Sequence, residues 1–314
     1  MSGRLRVLGF LVLAALLVVA VRRFALDQVL AALATARPMW LGFAIACYVA
    51  ILPLWAMQWC MLAPTTHRPP YSRMLGVIAM TSSVLNTTPM LVGEAAGVLF
   101  LVSRAGLQRA AALSVLAMDQ LLVGIAKMGV LVLATWLLVL PLWMERGMRA
   151  LSVVVLLLLI ALLGMAWGSD TVERVARRLP ERAGRVLRAI GAALAPLRSP
   201  SRGGGALAIA LGKMLVELLA ILCVQRAFGV ALPLASAVLV LASLNLATLV
   251  PVIPGNVGLY EAVVVLAYGY LGVDPERALA IALVQHACYF AALALPGYAW
   301  LARRAEVPSA AATS

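Results

Sequence analysis

Charge is scarce in this chain. Only 12% of its 314 residues are charged, and only 12 are acidic. Lysine is nearly absent, since Lys127 and Lys213 are the only two, and His67 and His286 are the only histidines. A soluble fold of this length needs polar side chains to cover its surface. With 64% hydrophobic residues and a mean hydropathy of +1.04, too few are available. Lipid is the solvent this composition fits. The four cysteines, Cys47, Cys60, Cys223 and Cys288, lie in or beside apolar runs without metal or redox spacing, and the histidines are far apart. No zinc or haem site is legible, and no cofactor is implied. Also missing are any Ser/His/Asp or Cys/His arrangement, a phosphate-binding Gly loop with Lys, and a nucleotide fingerprint. The chain therefore reads as a non-enzyme without a catalytic residue, and ATP-driven pumping would need a partner.

The net charge is +13, carried almost wholly by arginine. Those arginines sit in loops beside apolar runs, without the aromatic-interleaved stripe that marks nucleic-acid binding, so they report topology and contact with anionic lipid.

Long apolar runs are what the chain has. Val7–Val21, Met39–Leu62, Ala110–Leu140, Ala150–Gly168, Ala206–Ala227 and Arg277–Leu301 read as about six spanning helices, the first retained rather than cleaved. Two further runs, 74–102 and 232–271, are apolar but broken by proline and glycine. The stretch 169–205 is polar and carries eight arginines, with helical spacing over 177–194 that suits either an amphipathic surface helix or a solvated loop. The expected class is an all-α integral membrane protein with one polytopic domain over 1–305 and a disordered tail over 306–314.

Arginine placement sets the expected orientation. With the 169–205 loop cytoplasmic and both broken runs re-entrant, sixteen arginines fall inside and seven outside, and both termini are cytoplasmic in a plasma (inner) membrane.

The two broken runs resemble each other. Pro89 leads to Gly93 and Glu94, while Pro251, Pro254 and Gly255 lead to Gly258 and Glu261. Asp119 and His286 each lie twenty-five residues beyond the glutamate, and Asn86 and Asn245 stand upstream of each break. This is one plan used twice, span, broken hairpin, span, over about 39–140 and 206–302. By the arginine distribution the two hairpins open to opposite sides, the inverted-topology repeat common in transporters.

The segment Asn86-Thr87-Thr88-Pro89-Met90-Leu91-Val92-Gly93-Glu94, with Pro251-Val252-Ile253-Pro254-Gly255-Asn256-Val257-Gly258-Leu259-Tyr260-Glu261-Ala262, resembles the flippase-like membrane region of lysylphosphatidylglycerol synthases. The resemblance covers roughly residues 5–302 and implies a protein that moves or handles lipids. Membrane lipids are the implied partners, with lipid-synthesis enzymes as candidates. Three positions depart from the family pattern: Gly97 and Gln120 stand where arginine is common, and Asn256 where a second glycine is common. The synthases' soluble aminoacyl-transferase domain is not in this sequence, so lipid lysinylation is not expected.

Broken backbone cannot face lipid with its amides and carbonyls unpaired. The candidate substrate-binding residues are therefore Asn86, Pro89, Gly93, Glu94, Pro251, Pro254, Gly255, Asn256, Gly258 and Glu261. Each break also starts a helix whose free amides favour an anion such as a phosphate. Glu94 and Glu261 read either as transport residues or as N-terminal caps. Asp119, Gln120 and Lys127 share one helical stripe, and His286 joins the set as a titratable group. Lys213 and Glu217, four apart, read as a structural pair or as an ion- or proton-coupling pair. The function expected is a lipid flippase or transporter working through a groove between the hairpins. The alternatives are a small-solute secondary transporter, a lipid-modifying enzyme and a scaffold. With the arginine positions taken by Gly97 and Gln120, the expected headgroup carries one phosphate and a neutral or positive extension.

Overall fold

The computed structural model describes residues 26–64, 68–88, 90–137, 169–178, 200–247 and 254–305, with scattered positions between 145 and 184. Every element among them is helical: α1 (Leu26–Ala34), α2 (Pro38–Leu62), α3 (Tyr71–Thr87), α4 (Met90–Ser103), α5 (Arg109–Leu137), α6 (Ser169–Arg178), α7 (Pro200–Ala227), α8 (Leu234–Ala247), a one-turn 3-10 helix η1 (Pro254–Asn256), α9 (Leu259–Tyr270) and α10 (Pro275–Ala305). In lipid a helix satisfies its own backbone, which is why apolar runs of this length take no other form here. The expected spans over 7–21 and 150–168, and most of 177–194, lie outside the described residues.

Four helices among the described residues are long and apolar enough to cross a membrane: 38–62, 109–137, 201–227 and 275–300. Proline stands at the first position of α2, α7 and α10, where its missing amide costs nothing. Pro53 and Pro296 lie inside α2 and α10, and both helices run through them. By contrast α3, α4, α8 and α9 have 17, 14, 14 and 12 residues. At about 1.5 Å per residue each is shorter than the roughly 30 Å hydrocarbon core.

The short helices pair. Gly93 of α4 lies against Leu85 of α3, and Gly97 lies against Thr81. These contacts run in opposite directions along the two helices, so α4 returns along α3 and the segment leaves at the end of the bundle where it entered. The approach is close: a Cβ on Gly93 would stand 2.7 Å from the Leu85 Cα. In the second half α8 packs on α9, and η1 packs on α3.

Neighbour relations in the two halves correspond. The α2–α3, α3–α4 and α4–α5 contacts match α7–α8, α8–α9 and α9–α10. Contacts between the halves are crossed: α3 packs on α10, and α8 packs on α5. The most extensive contact joins α2 to α7. These two run antiparallel, tied at one end by the Arg37 amide donating to the Ala227 carbonyl (2.9 Å) and at the other by the Arg202 guanidinium donating to the Ala63 carbonyl (2.8 Å). The ends of α4 and α9 are also alike, since Gly106 and Gly272 both adopt positive φ (76° and 79°) just beyond them.

Candidate functional site

The break after α3 is built by side chains bonding backwards. Asn86 Nδ2 donates to the Ser82 carbonyl (2.8 Å), Thr87 Oγ1 to Ser83 (2.7 Å) and Thr88 Oγ1 to Val84 (2.7 Å). Each of these side chains is thus satisfied on a carbonyl one turn back, and the Val84 carbonyl takes the Thr88 amide (2.9 Å) as well. At the second break Gly255 and Asn256 take left-handed φ of 64° and 53°. Gly255 also lies beneath the Asn86 carbonyl, 2.9 Å from where a Cβ would stand. Glycine is required there twice over, and the two breaks touch.

Beside that contact is a polar cavity of about 270 Å³, formed by α2, α3, α5, α7, α8, η1, α9 and α10. Of the residues expected from sequence, Asn86, Asp119, Gln120, Lys127, Lys213, Glu217, Gly255, Asn256 and His286 line it, and so does Asn245. Charge of both signs meets inside apolar helices. Lys213 and Asp119 are 5% and 2% exposed, and Lys213 Nζ lies 3.6 Å from Asp119 Oδ1. Trp55 Nε1 donates to Asp119 Oδ2 (2.8 Å), and the ammonium of Lys213 stands 5.3 Å from the centre of a Trp55 ring. Glu217 lies within electrostatic reach of both lysines. Lys213 therefore reaches across to α5 for its ion pair, although Glu217 stands four residues away on its own helix.

Glu261 is one layer behind the cavity wall. Its Oε2 accepts from the Gly258 amide (2.7 Å), so it caps α9, and its Oε1 is hydrogen-bonded to His286 Nδ1 (2.6 Å). Tyr260 stacks on His286 with ring centres 4.2 Å apart, and its hydroxyl accepts from Gln285 Nε2 (2.8 Å). The glutamate–histidine pairing joins two positions of one half, twenty-five residues apart.

Its counterpart in the first half is arranged differently. Glu94 is half-buried on α4, away from the cavity wall, and has no hydrogen-bond or ion-pair partner among the described residues. Asp119 pairs with Lys213 instead. Gly93 is buried in the α3–α4 contact rather than in the cavity. Pro89 and Pro251 lie outside the described residues, as does the side chain of Pro254. Sequence reasoning missed Trp55, Tyr260 and Tyr289 as cavity residues. Tyr260, directly before Glu261 in the second motif, was the one of the three that carried a local signal.

No three His, Cys, Asp or Glu side chains among the described residues converge on a point where a metal could bind. What the arrangement offers is a small, nearly charge-balanced polar chamber holding two carboxylates, two ammonium groups and several amides and hydroxyls. The sequence model of one family, described as Lysylphosphatidylglycerol synthase TM region, matches residues 6–297. No curated protein and no solved structure matches the chain.

Proposed function

Since the chain belongs to the lysylphosphatidylglycerol synthase transmembrane-region family, we propose that it carries a polar lipid between membrane leaflets, the headgroup passing through the chamber at the two helix breaks while the acyl chains stay in lipid. The observation that carries this reading is the charge balance of the chamber inside apolar helices, with Asp119 and Glu217 set against Lys127 and Lys213. Buried charge is costly in a membrane unless it is paired or used. The volume, about 270 Å³, is below the range of roughly 300–1,000 Å³ typical of sites that enclose whole drug-sized ligands. It suits a headgroup and leaves the acyl chains outside.

The antiparallel α2–α7 pairing, the crossed hairpin contacts and the matched glycines after α4 and α9 support an inverted repeat with re-entrant hairpins. The arginine distribution supports cytoplasmic termini. A balanced chamber favours a headgroup with one phosphate and a neutral or cationic extension, because a multiply charged anion would leave net charge buried. The protein acts in this reading as a carrier, without covalent chemistry.

The test is a sidedness assay in proteoliposomes, with fluorescent phosphatidylethanolamine, aminoacyl-phosphatidylglycerol, phosphatidic acid and cardiolipin presented in one leaflet. Protein-dependent exchange of the first two is expected, lost in Glu217→Gln. No exchange of any lipid, with uptake of a water-soluble amino acid or sugar instead, would favour the small-solute transporter.

A further inference from the structure

A second recess, about 660 Å³, lies where α2 begins and α7 ends, closed by the 229–234 loop that leads into α8. Among the described residues it shares no lining residue with the central chamber. Two guanidinium groups, those of Arg37 and Arg226, line it, and no carboxylate among the described residues does. Arg226 lies over the Trp40 ring, 5.3 Å from its centre. The other walls are mostly apolar, with Leu222, Leu232 and Leu234 among them.

The two α2–α7 ties differ in what they use. At the far end the Arg202 guanidinium is spent on the Ala63 carbonyl. At this end the Arg37 backbone amide makes the equivalent bond to Ala227, and its side chain is left exposed. Neither Arg37 nor Arg226 forms an ion pair among the described residues. Two carboxylates, Asp274 and Glu276, line a neighbouring recess beyond Gly229, one that Arg37 also borders.

Depth completes the picture. Both helices are long apolar spans, so their ends lie near the boundary between hydrocarbon and headgroups, where tryptophan and arginine are at home. Just below the recess, α2 presents Met39 and Phe43 at 64% and 53% exposure. A ligand fitting this surface has an anionic phosphate at the top and hydrocarbon beneath it. Arginine forks match phosphate oxygens in pairs, and the contact with the Trp40 ring steadies the Arg226 fork.

We propose that this recess is a binding site for an anionic phospholipid, its phosphate between Arg37 and Arg226 and its acyl chains along α2 beyond Trp40. The lipid would bridge α2 to the α7–α8 loop as a bound component, apart from anything that moves through the central chamber.

The test uses the purified full chain in a neutral detergent, with thermal unfolding read while phosphatidylglycerol, phosphatidylcholine or inorganic phosphate is added. Phosphatidylglycerol is expected to raise the midpoint by about 3 °C or more at saturation. The double variant Arg37→Gln/Arg226→Gln should need at least tenfold more lipid for the same shift. Arg37→Lys/Arg226→Lys should keep most of the affinity, and Arg104→Gln/Arg109→Gln, remote from the recess, should match the wild type. An undiminished shift in the glutamine variant overturns the proposal. So does an equal shift with inorganic phosphate, which would mean a free-anion site, or with phosphatidylcholine, which would mean that the net charge is not read. If the glutamine variant does not fold, the wild type alone decides: its phosphatidylglycerol affinity must fall steeply with salt, and a salt-independent affinity refutes the site.

Discussion

Removing both members of the Asp119–Lys213 pair should cost no more than removing Lys213 alone, and the two single losses should be unequal. The charges stand 3.6 Å apart at 2% and 5% exposure. At an effective dielectric of about 20 their attraction is about 5 kcal/mol, most of it offset by the cost of taking both from water. A lone buried charge keeps that cost without the attraction, typically about 3–5 kcal/mol. Lys213→Met strands Asp119 with the Trp55 Nε1 donor as its remaining bond, so it should lose about that much. Asp119→Asn leaves Lys213 beside Glu217 and near the Trp55 ring, and should lose roughly half as much. The double variant Asp119→Asn/Lys213→Met should be no worse than Lys213→Met alone, a coupling of about 2 kcal/mol. Unfolding in mixed micelles titrated with a denaturing detergent measures this, with the indole of Trp55 as a reporter in contact with the pair. Simple additivity, or a greater loss from Asp119→Asn than from Lys213→Met, would refute the reasoning.

Other substitutions probe the breaks and the packing around them. Gly97→Ala puts a methyl 3.0 Å from Thr81 Cγ2 and should destabilise the α3–α4 hairpin by about 1 kcal/mol, with Thr81→Ser restoring most of it in the same unfolding titration. Gly297→Ala is expected to prevent native packing of α10 on α3, because its Cβ would lie 2.1 Å from the Ala79 carbonyl; loss of the monodisperse peak in size-exclusion chromatography is the readout. Glu261→Gln keeps an acceptor for the Gly258 amide, so the protein should stay folded, while lipid exchange falls at least tenfold through the altered contact with His286; unfolding in detergent with no loss of exchange rate per folded molecule would reverse that assignment. Single cysteines at Arg104 and Asp274 should react with impermeant maleimide from opposite sides, 104 inside and 274 outside.

Hydropathy made the long helices legible, because nothing else disposes of such runs. The breaks were legible too, since Asn86-Thr87-Thr88 and Pro254-Gly255-Asn256 carry chemistry that ends helices. Asp119 and His286 came from counting outward from two glutamates, and both line the chamber. What the sequence could not convey was pairing across the halves. Lys213 has a carboxylate one turn away at Glu217, and local spacing points there. Only the packing of α7 near α5 brings Asp119 to it. A tryptophan in an apolar run usually marks the interface, so nothing local shows that the Trp55 indole serves a buried acid. Glu94 matched Glu261 in the count, and neither lines the chamber; they differ in that Glu261 is held by His286 just behind the wall, whereas Asp119 is engaged by Lys213 and not by Glu94.

The crossed packing has a consequence for biosynthesis. During translation the hairpin of α3 and α4 emerges long before α10, the helix that α3 packs against in the finished protein. A nascent chain that has not yet passed Pro275 holds Ser83 and Gly76 without Ala294 and Trp300, their neighbours on α10. The first half therefore has to wait in the membrane, half-assembled, until the final helix is delivered. A truncation that removes α10 should injure the beginning of the protein as much as its end, while the two halves made as separate chains have every contact needed to find each other.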